Sequence, residues 1–241
     1  MSLKYKDSVV LVGGGDLAAD VFNLVQDRAK VFVAADGGAD ALLGFGVIPD
    51  AVIGDMDSLS EAGRAAIPED RIFEVSEQES TDFDKALRLS EAPLVYAIGF
   101  TGGRQDHELA ALHVLLRYAN RLVVLVGDED VTVHLPACIA LNLPVGMRVS
   151  VFPMGPVTVG MAGLRWSFEA LALHPMHKIG TSNEVAEIGA GAPVVLTSDA
   201  PGALLILPKE ALDALVTGMR EADLHSLQPE GSVKTWANCC P

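Results

Sequence analysis

The first half of the chain alternates short apolar, β-rich runs with stretches of helical periodicity. The apolar runs are residues 8–12, 30–34, 51–53, 71–75, 93–98 and 121–126. The helical patterns lie near residues 16–26, 39–45, 59–66, 82–91 and 106–118. Strands that are apolar on both faces and separated by helices form a parallel sheet covered on both sides. The alternation therefore predicts an N-terminal parallel-sheet α/β domain.

From about Cys138 the pattern changes to short β-rich pieces separated by proline and glycine turns, without long helical periodicity. The pieces are residues 139–143, 148–152, 158–159, 194–197 and 203–207, followed by a helical pattern over 209–221. This pattern is typical of a smaller C-terminal antiparallel domain that resembles a β-sandwich. We therefore expect an α/β domain over residues 1–136 and a β-rich domain over residues 137–241.

The composition fits a soluble enzyme. The net charge of −15 argues against a phosphate-backbone footprint, and so against nucleic acid as a partner. No apolar run approaches the roughly 18–20 residues of a membrane span, and the N-terminus lacks the apolar region of a secretory signal. We therefore expect no membrane partner. Three cysteines give no disulfide framework, so we expect a reducing, cytoplasmic location.

Glycine and acidic motifs follow the predicted strands one after another. In chain order they are Gly13-Gly14-Gly15, Asp36-Gly37-Gly38, Asp55 with Asp57, Thr81-Asp82, and the segment from Gly99 to Asp106. Ligands of an open parallel sheet bind outside the carboxyl ends of its strands. We therefore expect these motifs to converge on one cleft. Ser58 and Thr81 also begin helix-capping patterns, with Glu61 and Asp84 three residues on.

Asp55 and Asp57 lie two residues apart where the third strand ends. Carboxylates that project together repel one another unless a cation joins them, and Mg²⁺ prefers oxygen ligands and brings phosphate oxygens with it. Asp57 could instead cap a helix, but Asp55 has no such structural reason. Asp82 could complement a helix dipole. We predict Asp55, Asp57 and Asp82 as Mg²⁺ ligands, with Glu79 as a further candidate.

The motif Gly102-Gly103-Arg104 offers a polyphosphate backbone N–H groups and a forked cation. Phosphoryl transfer depends mainly on positioning and on charge neutralisation. We therefore expect Arg104 and the two glycine amides to neutralise the transferred group, and Asp106 to orient Arg104 or the metal shell. Asp82 or Asp57 is also the candidate general base. The predicted catalytic residues are Asp57, Asp82, Arg104 and Asp106.

Five motifs follow one another along the chain: A-D-G-G-A-D (35–40), P-D-A-V-I-G-D-M-D-S (49–58), T-D-F-D-K-A-L (81–87), G-G-R-Q-D-H (102–107) and G-T-S-N-E (180–184). Together they resemble the ordered motif set of the thiamine pyrophosphokinase family. The resemblance implies transfer of pyrophosphate from ATP to the hydroxyethyl group of thiamine, giving thiamine diphosphate and AMP. It also implies Mg²⁺ dependence and a homodimer with active sites between subunits.

The resemblance assigns residues to both substrates. For ATP they are Gly14, Asp36, Gly37, Thr81, Gly102, Gly103 and Arg104. For thiamine, on the C-terminal domain, they are Trp166 as an aromatic face and Ser182 and Asn183 as hydrogen-bonding groups. Alternatively, Trp166 belongs to the core and Ser182-Asn183 to a plain turn.

Some positions depart from the family pattern. Gln78 and Glu79 stand where Lys-Asp is frequent, Ala111 where Asn is common, and Met56 where Phe is usual. The loss of a cation at Gln78 concerns affinity or nucleotide preference more than the reaction. Two other functions stay open: a metal-dependent glycosyltransferase that uses a nucleotide sugar through its D-x-D motif, and a non-catalytic protein that binds nucleotide or thiamine.

Overall fold

The computed structural model of the chain describes residues 2–187 and 192–226. The chain divides into two compact units, the first ending at Asp128 and the second beginning at Glu129. The sequence pattern predicts a boundary after residue 136. Between the two boundaries lies one strand, Asp130–His134, which belongs to the second unit and is not among the predicted strands.

The first unit confirms the predicted α/β architecture. Its strands are β1 (Leu3–Lys4), β2 (Val9–Val12), β3 (Val31–Ala35), β4 (Ala51–Gly54), β5 (Ile72–Glu74), β6 (Ser90–Glu91), β7 (Val95–Ile98) and β8 (Val123–Val126). Its helices are α1 (Ala19–Val25), α2 (Gly38–Gly44), α3 (Glu61–Ala66), α4 (Asp82–Leu89) and α5 (Gln105–Arg117). The predicted strands and helices all form, with small shifts at their ends.

A parallel sheet forms the core of this unit, with the strand order β8-β7-β2-β3-β4-β5. The strands β2, β4, β7 and β8 are buried along their whole length, as their continuous apolar sequences require. The chain runs outward from β2 to β5 and then returns to place β7 on the other side of β2. The strand order therefore reverses between β2 and β7, which is where sheets of this kind bind ligands.

The loops after β2 and β7 meet at this reversal point through their backbones. The N–H of Gly13 donates to the carbonyl of Ile98 at 2.8 Å, and the N–H of Gly15 donates to the carbonyl of Gly99 at 2.9 Å. A Cβ atom on Gly13 would lie 2.5 Å from the oxygen of Gly99. Glycine is therefore required here by the close approach of two backbones.

The second unit confirms the predicted antiparallel β domain. Its elements are β9 (Asp130–His134), β10 (Cys138–Leu141), β11 (Arg148–Pro153), β12 (Val157–Ala162), β13 (Phe168–Leu173), β14 (Gly180–Glu184), β15 (Val194–Ser198), β16 (Ala203–Pro208) and α6 (Leu212–Ser226). Antiparallel pairing gives the orders β14-β11-β16-β9 and β10-β15-β12-β13. The two layers meet where Met161 of β12 lies beside Gly180 and Asn183 of β14.

In the described part of the chain, no helix combines the length and the apolar character needed to cross a membrane. Cys138 is disulfide-bonded, which the cysteine count does not predict. The other cysteines, Cys239 and Cys240, lie outside the described residues.

Candidate active site

Among the residues that the structure describes, three aspartates form an acidic cluster at the carboxyl edge of the parallel sheet. Asp36 follows β3, and Asp55 and Asp57 follow β4. One carboxylate oxygen from each lies within 4.8 Å of the others. The pairing of Ala35 with Ile53 in the sheet accounts for this meeting, because it aligns the ends of the two strands.

Asp36 is the most buried member of the cluster, with 2% of its surface exposed. Its Oδ2 accepts from the N–H of Ser58 at 3.1 Å, whereas its buried Oδ1 has no hydrogen-bond partner in the described part of the chain. Burial raises the pKa of Asp36 to about 6, although hydrogen bonds from Ser58 oppose the rise. A buried oxygen without a donor, beside two more carboxylates, fits a hard divalent cation.

The D-x-D loop holds its two acids through an unusual backbone. Met56 adopts a positive φ of 66°. The N–H of Asp57 donates to Asp55 Oδ1 at 3.3 Å, and the hydroxyl of Ser58 donates to Asp57 Oδ1 at 2.9 Å. Ser58 therefore belongs to the acidic loop, and the prediction that it caps α3 is wrong. Ser60 caps that helix, with its Oγ accepting from the N–H of Gly63 at 2.9 Å.

A buried lysine connects the cluster to α4. Lys85 Nζ donates to Asp55 Oδ2 at 3.1 Å and to Asp82 Oδ1 at 3.0 Å, and only 1% of Lys85 is exposed. Gln78 Nε2 also donates to Asp55 Oδ2, at 2.8 Å. Asp82, a predicted metal ligand, thus reaches Asp55 through Lys85. Thr81 caps α4 as predicted, with its Oγ1 accepting from the N–H of Asp84 at 3.4 Å.

The contacts of Lys85 shift the pKa values of Lys85 and Asp55 in opposite directions. Burial lowers the pKa of Lys85, but hydrogen bonds to Asp82 and Asp55 outweigh it, so the net shift is upward. Burial likewise raises the pKa of Asp55, yet hydrogen bonds from Lys85 and Gln78 bring it below its usual value. Lys85 is not among the site residues predicted from the sequence. Its signal is a lysine three residues after Asp82, among the apolar positions of a helix.

The glycine loop before α5 presents Arg104 to solvent. Gly102 and Gly103 adopt positive φ values of 72° and 87°. Arg104 Nε donates to Asp106 Oδ1 at 3.1 Å, and a terminal nitrogen of Arg104 donates to Asp106 Oδ2 at 2.7 Å. The hydrogen bonds from Arg104 lower the pKa of Asp106. Of the two predicted roles of Asp106, the structure shows the contact that orients Arg104.

The remaining glycines predicted for ATP lie beside the acidic cluster. A Cβ atom on Gly37 would lie 3.2 Å from the Cβ of Ser58, and one on Gly14 would lie 3.5 Å from the backbone of Gly37. The loops after β2, β3 and β4 therefore pack against one another, as the strand-end motifs predict.

In the second unit, Asn183 fixes the backbone of Trp166. Asn183 Oδ1 accepts from the N–H groups of Trp166 at 3.2 Å and Glu184 at 2.9 Å, and its Nδ2 donates to the carbonyl of Trp166 at 2.8 Å. Asn183 therefore holds the Trp166 loop. This structural role differs from the predicted role of Asn183, which is direct contact with the pyrimidine. Trp166 is 50% exposed and so is not a core residue, and the Arg165 guanidinium carbon lies 5.0 Å from its ring centre. Ser182 is exposed, with a φ of 61°.

Comparison with known proteins gives one family. A family model described as "Thiamin pyrophosphokinase, catalytic domain" matches residues 22–126. Thiamine pyrophosphokinase 1 of Oryza sativa subsp. japonica is 29% identical over 210 residues, covering 73% of this chain and 78% of the relative. The thiamine pyrophosphokinase of Bacillus subtilis is 32% identical over 119 residues, covering 46% of this chain and 55% of the relative.

Solved structures share the fold. The thiamin pyrophosphokinase from Candida albicans superposes with a TM-score of 0.71 at 15% identity, covering 86% of this chain and 93% of that one. The thiamin pyrophosphokinase from Geobacillus thermodenitrificans gives a TM-score of 0.68 at 25% identity, with 83% and 96% covered. The segment matched by the family model contains all three acids of the cluster and the Arg104 loop.

Proposed function

Because the chain belongs to the thiamine pyrophosphokinase family, we propose that it transfers the terminal pyrophosphate of ATP to the hydroxyl group of thiamine, giving thiamine diphosphate and AMP. The observation that carries the proposal is the acidic cluster of Asp36, Asp55 and Asp57 within the segment matched to the catalytic domain. Three carboxylates at the carboxyl edge of a parallel sheet suit a metal–nucleotide.

The proposed cofactor is Mg²⁺, held by Asp55 and Asp57. The buried Oδ1 of Asp36, to which none of the described residues donates a hydrogen bond, supports this site and adds Asp36 to the candidate ligands. Asp82 remains a candidate, with its Oδ1 anchored by Lys85, and Glu79 is exposed. When bound, Mg²⁺ supplies charge neutralisation for triphosphate oxygens.

Arg104 and the amides of Gly102 and Gly103 would bind the transferred pyrophosphate. The two hydrogen bonds from Arg104 to Asp106 hold the guanidinium in one orientation. Its remaining N–H groups can bind phosphate oxygens. Such positioning, in line with the thiamine hydroxyl, is the main requirement of phosphoryl-type transfer. Asp57 or Asp82 is the proposed acceptor of the hydroxyl proton.

Thiamine would stack on Trp166, whose exposed ring suits a flat, cationic ligand, while Ser182 supplies a hydroxyl group. Asn183 contributes by fixing the Trp166 backbone. We further propose a cytoplasmic homodimer with sites at the subunit interface. Exposed apolar side chains on the second unit, Phe168, Met176 and Ile179, support an interface there.

Product analysis tests this function. The chain is incubated with ATP, thiamine and Mg²⁺, and the products are separated by chromatography. We expect AMP and thiamine diphosphate in equal amounts, with the label of β-labelled ATP in thiamine diphosphate. ADP together with thiamine monophosphate would contradict pyrophosphate transfer.

The same product analysis, repeated with a nucleotide sugar as the donor in place of ATP, separates the two alternatives. UDP or GDP release from a sugar donor would indicate a glycosyltransferase, and binding without any product would indicate a non-catalytic protein. The comparisons support neither.

A further inference from the structure

The two oxygens of the Asp55 carboxylate have unequal surroundings. Oδ2 accepts from Lys85 Nζ at 3.1 Å and from Gln78 Nε2 at 2.8 Å. Oδ1 accepts from the N–H of Asp57 at 3.3 Å, which is beyond the usual length of such a bond. One oxygen is therefore covered by two donors, while the other is held weakly.

The cover on Oδ2 is fixed in place. Lys85 is 1% exposed and is anchored a second time by Asp82 Oδ1, at 3.0 Å. Breaking a buried pair of this kind leaves an uncompensated charge, which makes withdrawal of the lysine costly. Gln78 is exposed and adds a neutral donor to the same oxygen.

This asymmetry matters for the choice of cation. Mg²⁺ binds in an octahedral shell at about 2.0–2.1 Å, whereas Ca²⁺ takes about 6–8 oxygens at about 2.3–2.6 Å and often uses both oxygens of one carboxylate. A carboxylate with one oxygen covered can offer a metal only the other oxygen. Such a ligand suits Mg²⁺ and denies Ca²⁺ a bidentate contact.

We propose that Lys85, assisted by Gln78, makes the acidic cluster select Mg²⁺ over Ca²⁺ by restricting Asp55 to a single metal-binding oxygen. The inference rests on the metal site of the proposed function and adds to it a residue that determines metal specificity.

The test is direct ion binding to the full chain without nucleotide. Mn²⁺ binding is followed by electron paramagnetic resonance, and Mg²⁺ and Ca²⁺ affinities are obtained by displacement of Mn²⁺. Lys85→Met removes a positive charge, which should strengthen the binding of both ions. It also frees Asp55 Oδ2, and this second effect should favour Ca²⁺ alone. We expect the ratio of Ca²⁺ to Mg²⁺ affinity to rise about tenfold, the lower end of the effect of outer-shell partners on metal affinity.

Two variants accompany Lys85→Met. Gln78→Leu removes one donor from an exposed position without a change in charge, and should raise the ratio in the same direction by a smaller factor. Lys30→Met removes one positive charge from an exposed position in the same unit and should leave the ratio unchanged. If Lys85→Met fails to fold, Gln78→Leu decides the question.

An unchanged ratio in both Lys85→Met and Gln78→Leu would overturn the inference, as would absence of saturable Mn²⁺ binding to the unmodified chain. Turnover of ATP and thiamine by the unmodified chain reports separately on the proposed function. If the unmodified chain forms thiamine diphosphate but the variants leave the affinity ratio unchanged, the proposed function stands and the metal-selectivity inference is wrong. If the variants shift the ratio but the unmodified chain forms no product, the inference stands and the proposed function is wrong.

Discussion

Asp57 is the most exposed member of the acidic cluster, and its side chain accepts a hydrogen bond from its neighbour Ser58. Asp57→Asn should therefore leave the fold intact while removing one ligand charge. We expect kcat to fall by a factor on the order of 10² or more, as for the loss of an electrostatic partner in a transition state. Steady-state kinetics and thermal unfolding of the variant measure the two effects. Asp70→Asn, at an exposed acid of the same unit, is the control; parental turnover by Asp57→Asn would remove Asp57 from the site.

Arg104 contributes through its shape as well as its charge. Asp106 holds its guanidinium by two hydrogen bonds, a geometry that an ammonium group cannot reproduce. Arg104→Lys should therefore lower kcat and raise KM for ATP, because charge redistributes as the pyrophosphate moves. Kinetics at saturating thiamine measure both constants. Equal constants for the lysine variant would reduce Arg104 to a surface cation.

Individual side chains differed in how far the sequence predicted them. Asp55 and Asp57 stood out because two acids at a strand end lack a common local role. Asp36 was assigned to ATP, and its place beside them depends on the pairing of β3 with β4. Lys85 was missed because the burial of a lysine is decided by partners far away in sequence, here Asp55, 30 positions away.

The helices α4 and α5, which begin at the candidate site, are joined by a buried acid in the first turn of α4. Asp84 is 3% exposed and accepts from an Arg117 terminal nitrogen at 2.5 Å and from the Tyr118 hydroxyl at 2.7 Å. The network connects the first turn of α4 to the end of α5. It thereby fixes the two helices whose first turns carry Asp82 and Asp106.

Tyr118 gives this network a measurable pH dependence. Burial, together with its hydrogen bond to Asp84, raises the pKa of Tyr118 to about 12. The folded state therefore keeps a proton that the unfolded chain loses near pH 10, so the stability from this group is complete below about pH 10 and is lost as the pH rises toward 12. Tyr118→Phe should cost about 1 kcal/mol at neutral pH and weaken that decline.

Urea unfolding of parent and variant between pH 8 and pH 11 measures the difference. Tyr96→Phe, at a buried tyrosine of β7, serves as the control. Parallel stability curves for the parent and Tyr118→Phe would contradict the assignment.

Secondary structure was predicted where the apolar pattern was strong and missed where pairing alone imposes it. The sequence of β14, G-T-S-N-E, contains no apolar side chain, yet it forms a strand because β11 pairs with it. The exposed start of β13, with Phe168 and Glu169, likewise lacks alternation. Ser58 and Ser60 are both plausible caps, and the acidic loop decides between them by engaging Ser58.

For the protein as a whole, the proposed dimer predicts that two inactive variants can restore activity to each other. If thiamine stacks on Trp166 of one subunit and the acids belong to the other, Trp166→Ala and Asp57→Asn chains should each be inactive alone. Mixed dimers should regain one intact site out of two. Activity after subunit exchange, with heterodimers verified by mass spectrometry, measures the recovery.

Verified heterodimers without recovered activity would place Trp166 and Asp57 in the same subunit's site, or Trp166 outside the site. A mixture of Asp57→Asn with Asp55→Asn is the matched control, because both substitutions fall in the same acidic loop and no exchange should restore a site.

The pairing of β2 has a consequence for how the chain is made. Val9 pairs with Val31 on one side and with Val95 on the other. Synthesis proceeds from the N-terminus, so one edge of this wholly apolar strand has no partner until β7 has emerged from the ribosome. Long-range parallel pairing of this kind is slow, and an open apolar edge invites association with other chains. A nascent chain halted before residue 95 would carry Asp36, Asp55 and Asp57 but would still lack β7, the second of the two strands that pair with β2.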